Sequence, residues 1–150
     1  MSDYPKQDHE IILLTADNSR ITGFINVLGR SISAYLQGPE PDIVMYDCLI
    51  DGIKGADTLM ISKKQTLWVN SREKTEIEKI GNWQNLMFML VNGVMVKGEV
   101  NMTGYDRASD FIQNELSRFY EVHDVDTGGY LCELLYVSRE HTVWKKPVNK

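Results

Sequence analysis

Two stretches of this chain read almost alike: "MISKKQTLWVN", from Met60 to Asn70, and "YVSREHTVWKK", from Tyr136 to Lys146, 76 residues further on. The same offset of 76 also pairs Ser33 with Ser109, Tyr35 with Phe111, Leu36 with Ile112 and Gln37 with Gln113. Shared strand propensity does not align two separate elements at one offset, whereas duplication of a module does. A chain of 150 residues, 43% of them hydrophobic, suits one ordinary globular domain or two very small units. We therefore read copy one as residues 10–70, a linker as 71–84, and copy two as 85–147.

Each copy opens with a strand pair. In copy one Ile11 to Thr15 is β-type, Asp17–Asn18–Ser19 is a turn, and Ile21 to Leu28 resumes as strand. In copy two "NLMFMLVNGVMVKGEV" carries Asn92–Gly93, which predicts a two-residue hairpin turn. Gly23 and Gly98 lie within the second strands. Glycine weakens a strand, so a bulge or a close approach between strands is the expected reason for each. A short helix follows. "GRSISAYLQGPEP" offers Ser31 as cap and Gly38–Pro39 as stop, with Ile32, Tyr35 and Leu36 at helical spacing. "YDRASDFIQNELSRFY" predicts a longer helix capped by Asp106, with Ala108, Phe111, Ile112, Leu116 and Phe119 on one stripe. Three more strands are expected in each copy: Ile43–Ile50, Leu59–Ile61 and Thr66–Val69, then Phe119–Val125, Leu131–Val137 and Thr142–Lys145. The polar bends "SKKQ" and "SREH" join the last two strands. The expected class is mainly β with short helices (α+β), built as a tandem of small SH3-like or Sm-like barrels, each β-β-α-β-β-β. Trp68 and Trp144 are expected to close the two barrels as structural residues, with Gly23 and Gly98.

"GRSISAYLQ" and "YDRASDFIQ", each followed by a strand and then by "LMISKKQTLWV" or "LLYVSREHTVWK", resemble units of poorly characterised bacterial tandem small β-barrel proteins. The resemblance implies a fold and no established activity. Copy one departs from it: Ala34 stands in place of Asp110, and Arg30 is one position out of step with Arg107. That departure points to a structural role for the Arg–Asp pair.

Composition narrows the function classes. Net charge is -5, and each copy is acidic on balance, so neither offers the overall positive charge that phosphate-backbone binding draws on. Cys48 and Cys132 are too far apart for a zinc knuckle, and their apolar contexts predict inert thiols. The longest apolar runs are strand-length, and the polar start carries no signal segment, which predicts a cytoplasmic protein without a membrane span. His123, Asp124 and Asp126 are metal-ligand types, but alternation along a strand would turn His123 and Asp124 apart, so no metal is expected. No serine lies in a nucleophile elbow and no cofactor motif occurs, which places an enzyme behind a binding module. Arg107 ahead of the second helix is a candidate anion ligand. Lys63, Lys64, Lys145 and Lys146 beside the tryptophans are candidate contacts for single-stranded nucleic acid. A third option is a small ligand held between the repeats. The leading expectation is a non-enzymatic adaptor or regulatory module that binds a protein partner or self-associates, with "NLMFMLVNGVMV" as the first candidate surface.

Overall fold

Apolar side chains at alternate positions commit this chain to strands with one buried face. The computed structural model, which describes residues 8–72 and 80–148, divides the chain into two compact units between residues 73 and 74. Unit 1 contains β1 (Asp8–Thr15), β2 (Arg20–Asn26), α1 (Ile32–Gln37), β3 (Asp42–Ile50), β4 (Ile53–Ser62), a 3-10 turn at Lys63–Gln65, and β5 (Thr66–Ser71). Unit 2 contains β6 (Trp83–Leu90), β7 (Met95–Asn101), α2 (Ala108–Asn114), β8 (Phe119–Thr127), β9 (Tyr130–Ser138) and β10 (Thr142–Pro147). The molecule is mainly β, every strand pair within a unit is antiparallel, and among the described residues no helix is long and apolar enough to cross a membrane. The middle of the expected linker, 73–79, lies outside the described residues.

The two units repeat each other down to the register. Neighbours run β5-β1-β2-β3-β4 in unit 1 and β10-β6-β7-β8-β9 in unit 2. Ile11 faces Gly23 as Leu86 faces Gly98. Leu13 pairs with Val69 as Phe88 pairs with Lys145. The register also breaks at the same place, beside Trp68 in unit 1 and beside Trp144 in unit 2. Inward-facing Ile11, Leu13, Ile25 and Met45 have no exposed surface in unit 1, and Leu86, Phe88, Val96 and Val122 have none in unit 2.

The strand glycines mark a close approach. A Cβ on Gly23 would lie 2.9 Å from the Tyr46 carbonyl oxygen, and one on Gly98 would lie 2.9 Å from the His123 carbonyl oxygen and 2.4 Å from Val122 Cγ1. Opposite each glycine the third strand of the unit breaks register. Asp47 and Asp124, at the matching positions, have φ of 51°, a left-handed conformation that Asp tolerates better than most residues. A bulged strand therefore arches over a bare backbone in both units.

Several local expectations change. The first hairpins close with three residues: Thr15 N donates to Ser19 O and Leu90 N to Val94 O, with Asn18 and Gly93 at positive φ. Only the last turn position of "VNG" is left-handed, so the hairpin uses a three-residue loop in place of the two-residue one. The two-residue turns are Asp51–Gly52 and Gly128–Gly129, at positive φ throughout. Because Asp51–Gly52 reverses the chain so tightly, β4 starts at Ile53, well before Leu59. Ser31 caps α1, its side chain accepting from Ala34 N at 3.0 Å. In α2 the cap position falls to Arg107, with no side-chain cap bond. That helix ends at Asn114, leaving Leu116 73% exposed and Phe119 at the start of β8. A helical stripe across 108–119 gives way there to strand pairing of Phe119 with Ser138.

Gly98→Ala should destabilise the protein by about 2 kcal/mol, with Gly23→Ala close behind, because a backbone carbonyl leaves no room for the added methyl. Urea unfolding curves will read this; midpoints equal to wild type would show that the approach is relaxed in solution.

Candidate functional site

The lysines named from the sequence separate once their surroundings are known. Lys63 is 1% exposed, and its Nζ donates to Tyr35 O at 2.9 Å and Gly38 O at 3.2 Å. These carbonyls end α1, where a cation is favoured by the orphan acceptors and the helix dipole. Glu40 Oε2 lies 3.7 Å from the same ammonium, and the Tyr35 ring lies 5.3 Å below it. The Tyr35 hydroxyl in turn accepts from Val44 N at 3.1 Å, tying the helix to β3. Lys63 is thus a fastening inside unit 1 and offers no charge to a phosphate. In unit 2 Arg139 holds the matching place, exposed, with Nε donating to Ser117 O at 3.1 Å. Arg30, by its pairing with Glu40 at 2.8 Å and its stacking on Tyr35, belongs to the same cluster.

Of the remaining candidates, Lys64 is exposed. Lys145 is half-buried with Nζ 5.2 Å from the Tyr120 ring centroid, and exposed Lys146 lies over Trp144. Trp68 pairs with Leu14 and Trp144 with Met89, on the face opposite inward-pointing Leu13 and Phe88. Leu67, Trp68 and Val69 are all buried along β5. Trp68 is 1% exposed with Arg20 over its ring, whereas Trp144 is 40% exposed. Arg107 is exposed and its Nε is 3.4 Å from Asp110 Oδ2, so a carboxylate already occupies the anion position.

His123 and Asp124 do point apart: the first is buried and the second exposed. His123 Nε2 is 3.1 Å from Glu121 Oε2, and the Trp83 ring meets the imidazole edge-on at 5.0 Å. Among the described residues no group of three or more His, Cys, Asp and Glu could hold a metal ion. Burial raises the Cys48 thiol pKa, and burial pushes that of Cys132 up to about 11. The hairpin "NLMFMLVNGVMV" turns Leu86, Phe88 and Leu90 inward, leaving mainly Val91 and Met95 at its tip exposed.

The outward face of β2, β3 and β4 carries the clearest surface feature. Phe24 lies directly opposite Tyr46, and Thr22 opposite Leu49. Val44 and Met60, also paired, continue the same face. Phe24 is 37% exposed, Tyr46 41%, Leu49 39% and Met60 64%. The matching cross-strand pairs of unit 2 are Glu99 with His123 and Lys97 with Asp126. One backbone thus exposes Phe24, Tyr46 and Leu49 in unit 1, whereas the matching places of unit 2 hold half-buried Glu99, buried His123 and exposed Asp126. Alternation in the sequence identifies such residues as outward-facing, but it does not say whether another element covers them.

Comparison with family models, with curated proteins and with solved structures found no match to this chain.

Two outcomes follow from these surroundings. Lys63→Ala should cost about 2–3 kcal/mol, since it removes a buried ammonium and strands two carbonyls, while Lys64→Ala should stay within about 0.5 kcal/mol. Thermal unfolding of both variants checks the contrast, and equal effects would contradict it. Cys132 should alkylate about 100-fold more slowly than a free cysteine at pH 8, because so little thiolate is present. Its raised pKa leaves stability intact below the unfolded thiol's value and erodes it as pH climbs from there toward about 11. Iodoacetamide kinetics followed by mass spectrometry measure the rate.

Proposed function

We propose that this protein is a non-enzymatic interaction module that recruits a polypeptide partner through the outward face of unit 1. The observation that carries this reading is the contrast between exposed Phe24, Tyr46 and Leu49 and the polar residues Glu99, His123 and Asp126 at the matching places of unit 2. Adjacent large apolar side chains left in water have a free-energy cost that a binding surface recovers on association. Aromatic residues supply much of the binding energy at such surfaces. Exposed Asp47 follows Tyr46 directly in the chain, so the complementary partner carries bulky apolar side chains next to Lys or Arg.

The architecture supports this reading. The strand order, the helix after the second strand and the 3-10 turn before the fifth in unit 1 fit a small SH3-like barrel; unit 2 repeats the order. Small barrels of this kind present their sheet faces to partners while the covered interior keeps the scaffold rigid. Of the candidates for single-stranded nucleic acid, Lys64, Lys146 and Trp144 are exposed and Lys145 is half-buried, while Lys63 is internal.

The test is selection of phage-displayed random peptides on the purified full chain. Enriched peptides should share bulky apolar residues beside Lys or Arg. Phe24→Glu, Tyr46→His and Leu49→Asp together, which write the unit 2 face onto unit 1, should weaken them at least about tenfold, or ~1.4 kcal/mol. Absence of such a consensus, or equal binding by the folded triple variant, rejects the reading. A concentration-dependent mass in sedimentation that the triple variant abolishes would reassign the face to self-assembly.

A further inference from the structure

A second difference between the units lies on the inner side of the sheet. In unit 1 the β1–β2 turn, the 3-10 turn and the ends of β3 and β4 surround a well of about 420 Å³. Ile21, Ile50, Leu59 and Ile61 supply its apolar lining, and Thr15 and Asp17 stand on the turn beside it. Ala16 N donates to Gln65 O at 2.7 Å, which fixes the two turns against each other. The space is within the range of small-molecule sites, and branched aliphatic walls favour an apolar guest over water.

Unit 2 shows how the same frame looks when this position is filled. Thr15 pairs with Thr66 across the sheet, and at the corresponding place Leu90 pairs with Thr142. Leu90 is 1% exposed, whereas Thr15 is half-buried and contributes to the well. Leu135, which corresponds to Leu59, has no exposed surface. The turn backbones otherwise agree: Asn92 Oδ1 accepts from Val94 N at 3.1 Å, and Asp17 Oδ1 accepts from Ser19 N at 3.1 Å. Unit 1 therefore differs by a shorter residue at Thr15 and by a carboxylate in place of an amide at Asp17. The first opens space and the second adds a negative charge beside it.

We propose that the well of unit 1 binds a small amphipathic amine, its apolar body on Ile21, Ile50, Leu59 and Ile61 and its ammonium at Asp17. Asp17 is the one charged residue among those lining the well. The Thr15 hydroxyl, and then the Ser19 amide, hydrogen-bond this carboxylate and hold its pKa below the ordinary value. A charge-assisted hydrogen bond at the edge of an apolar surface selects a cationic head over a neutral or anionic one. Met60 of the outward face reaches the rim of this site, whereas Phe24, Tyr46 and Leu49 do not line it.

Amide-resolved NMR titration of the full chain with 2-phenylethylamine, benzyl alcohol and phenylacetate tests the assignment. The amine should shift the amides of Thr15, Asp17 and Leu59 and bind at least about tenfold more tightly than phenylacetate. Asp17→Asn, the residue of unit 2, should remove the preference among the probes while leaving some binding of each. Thr15→Leu, again the residue of unit 2, should abolish saturation by all three and raise the melting temperature by filling the space. Should Thr15→Leu fail to fold, Leu59→Phe narrows the well from β4 and should give the same loss. Saturation unchanged in the filled variant, equal affinity for amine and acid, or no shifts at millimolar amine overturns the proposal. The face variant carrying Phe24→Glu, Tyr46→His and Leu49→Asp should bind the amine like wild type, so loss of peptide binding and loss of amine binding are read apart.

Discussion

A close approach between the second and third strands of each unit underlies its shape. A carbonyl oxygen, of Tyr46 in one unit and His123 in the other, lies 2.9 Å from where a glycine's missing Cβ would stand. The bulged strand gains its sharp bend from Asp47 or Asp124 in a left-handed conformation. Neither half of this device works alone. A side chain on the second strand would push the bulge away, and without the bulge the third strand would lie flat and carry its inward residues past the core. Curling a short sheet lets five strands and one brief helix enclose an interior, which is the main difficulty for units of this size.

With that bend held constant, the units are free to differ elsewhere, and they do so on surfaces. An internal lysine holds the end of α1 in unit 1, whereas in unit 2 an exposed arginine holds the Ser117 carbonyl in the segment after α2. One solution buries an ammonium among carbonyls and an aromatic ring, and the other leaves a guanidinium in solvent. On the outward face a phenylalanine–tyrosine pair stands where a glutamate–histidine pair stands in the other unit. The second arrangement buries the imidazole against Trp83, and the first leaves both rings partly exposed. Differences of this kind, on matching backbones, separate what the frame requires from what a particular surface does.

Much of the frame was legible in the sequence. The common offset of 76 reported the duplicated helix and closing strand. Gly23 and Gly98 stood out because glycine inside a strand has a cost, and Ser31 was recognisable as a cap. The misreadings have physical causes. Apolar residues at helical spacing from Ala108 to Phe119 imitate one stripe, but strand pairing captures Phe119. "SKKQ" and "SREH" look equally solvated in one dimension, yet only the first turns a lysine inward, because the terminal carbonyls of α1 and the carboxylate of Glu40 are gathered around its ammonium. The exposed face of unit 1 was hidden for another reason: period-two patterning tells which residues share a side, whereas exposure depends on what lies above them.

The three-residue loop of the first hairpin in unit 2 has a consequence for chemical ageing. Asn–Gly is the dipeptide most prone to deamidation, which begins when the glycine nitrogen attacks the asparagine side-chain carbon. Here Gly93 N donates to Leu90 O at 2.9 Å, while Asn92 Oδ1 accepts from Val94 N at 3.1 Å. Nucleophile and electrophile are held by separate hydrogen bonds, so ring closure must wait for the tip to open. The durability of this bond is therefore set by the local stability of the hairpin.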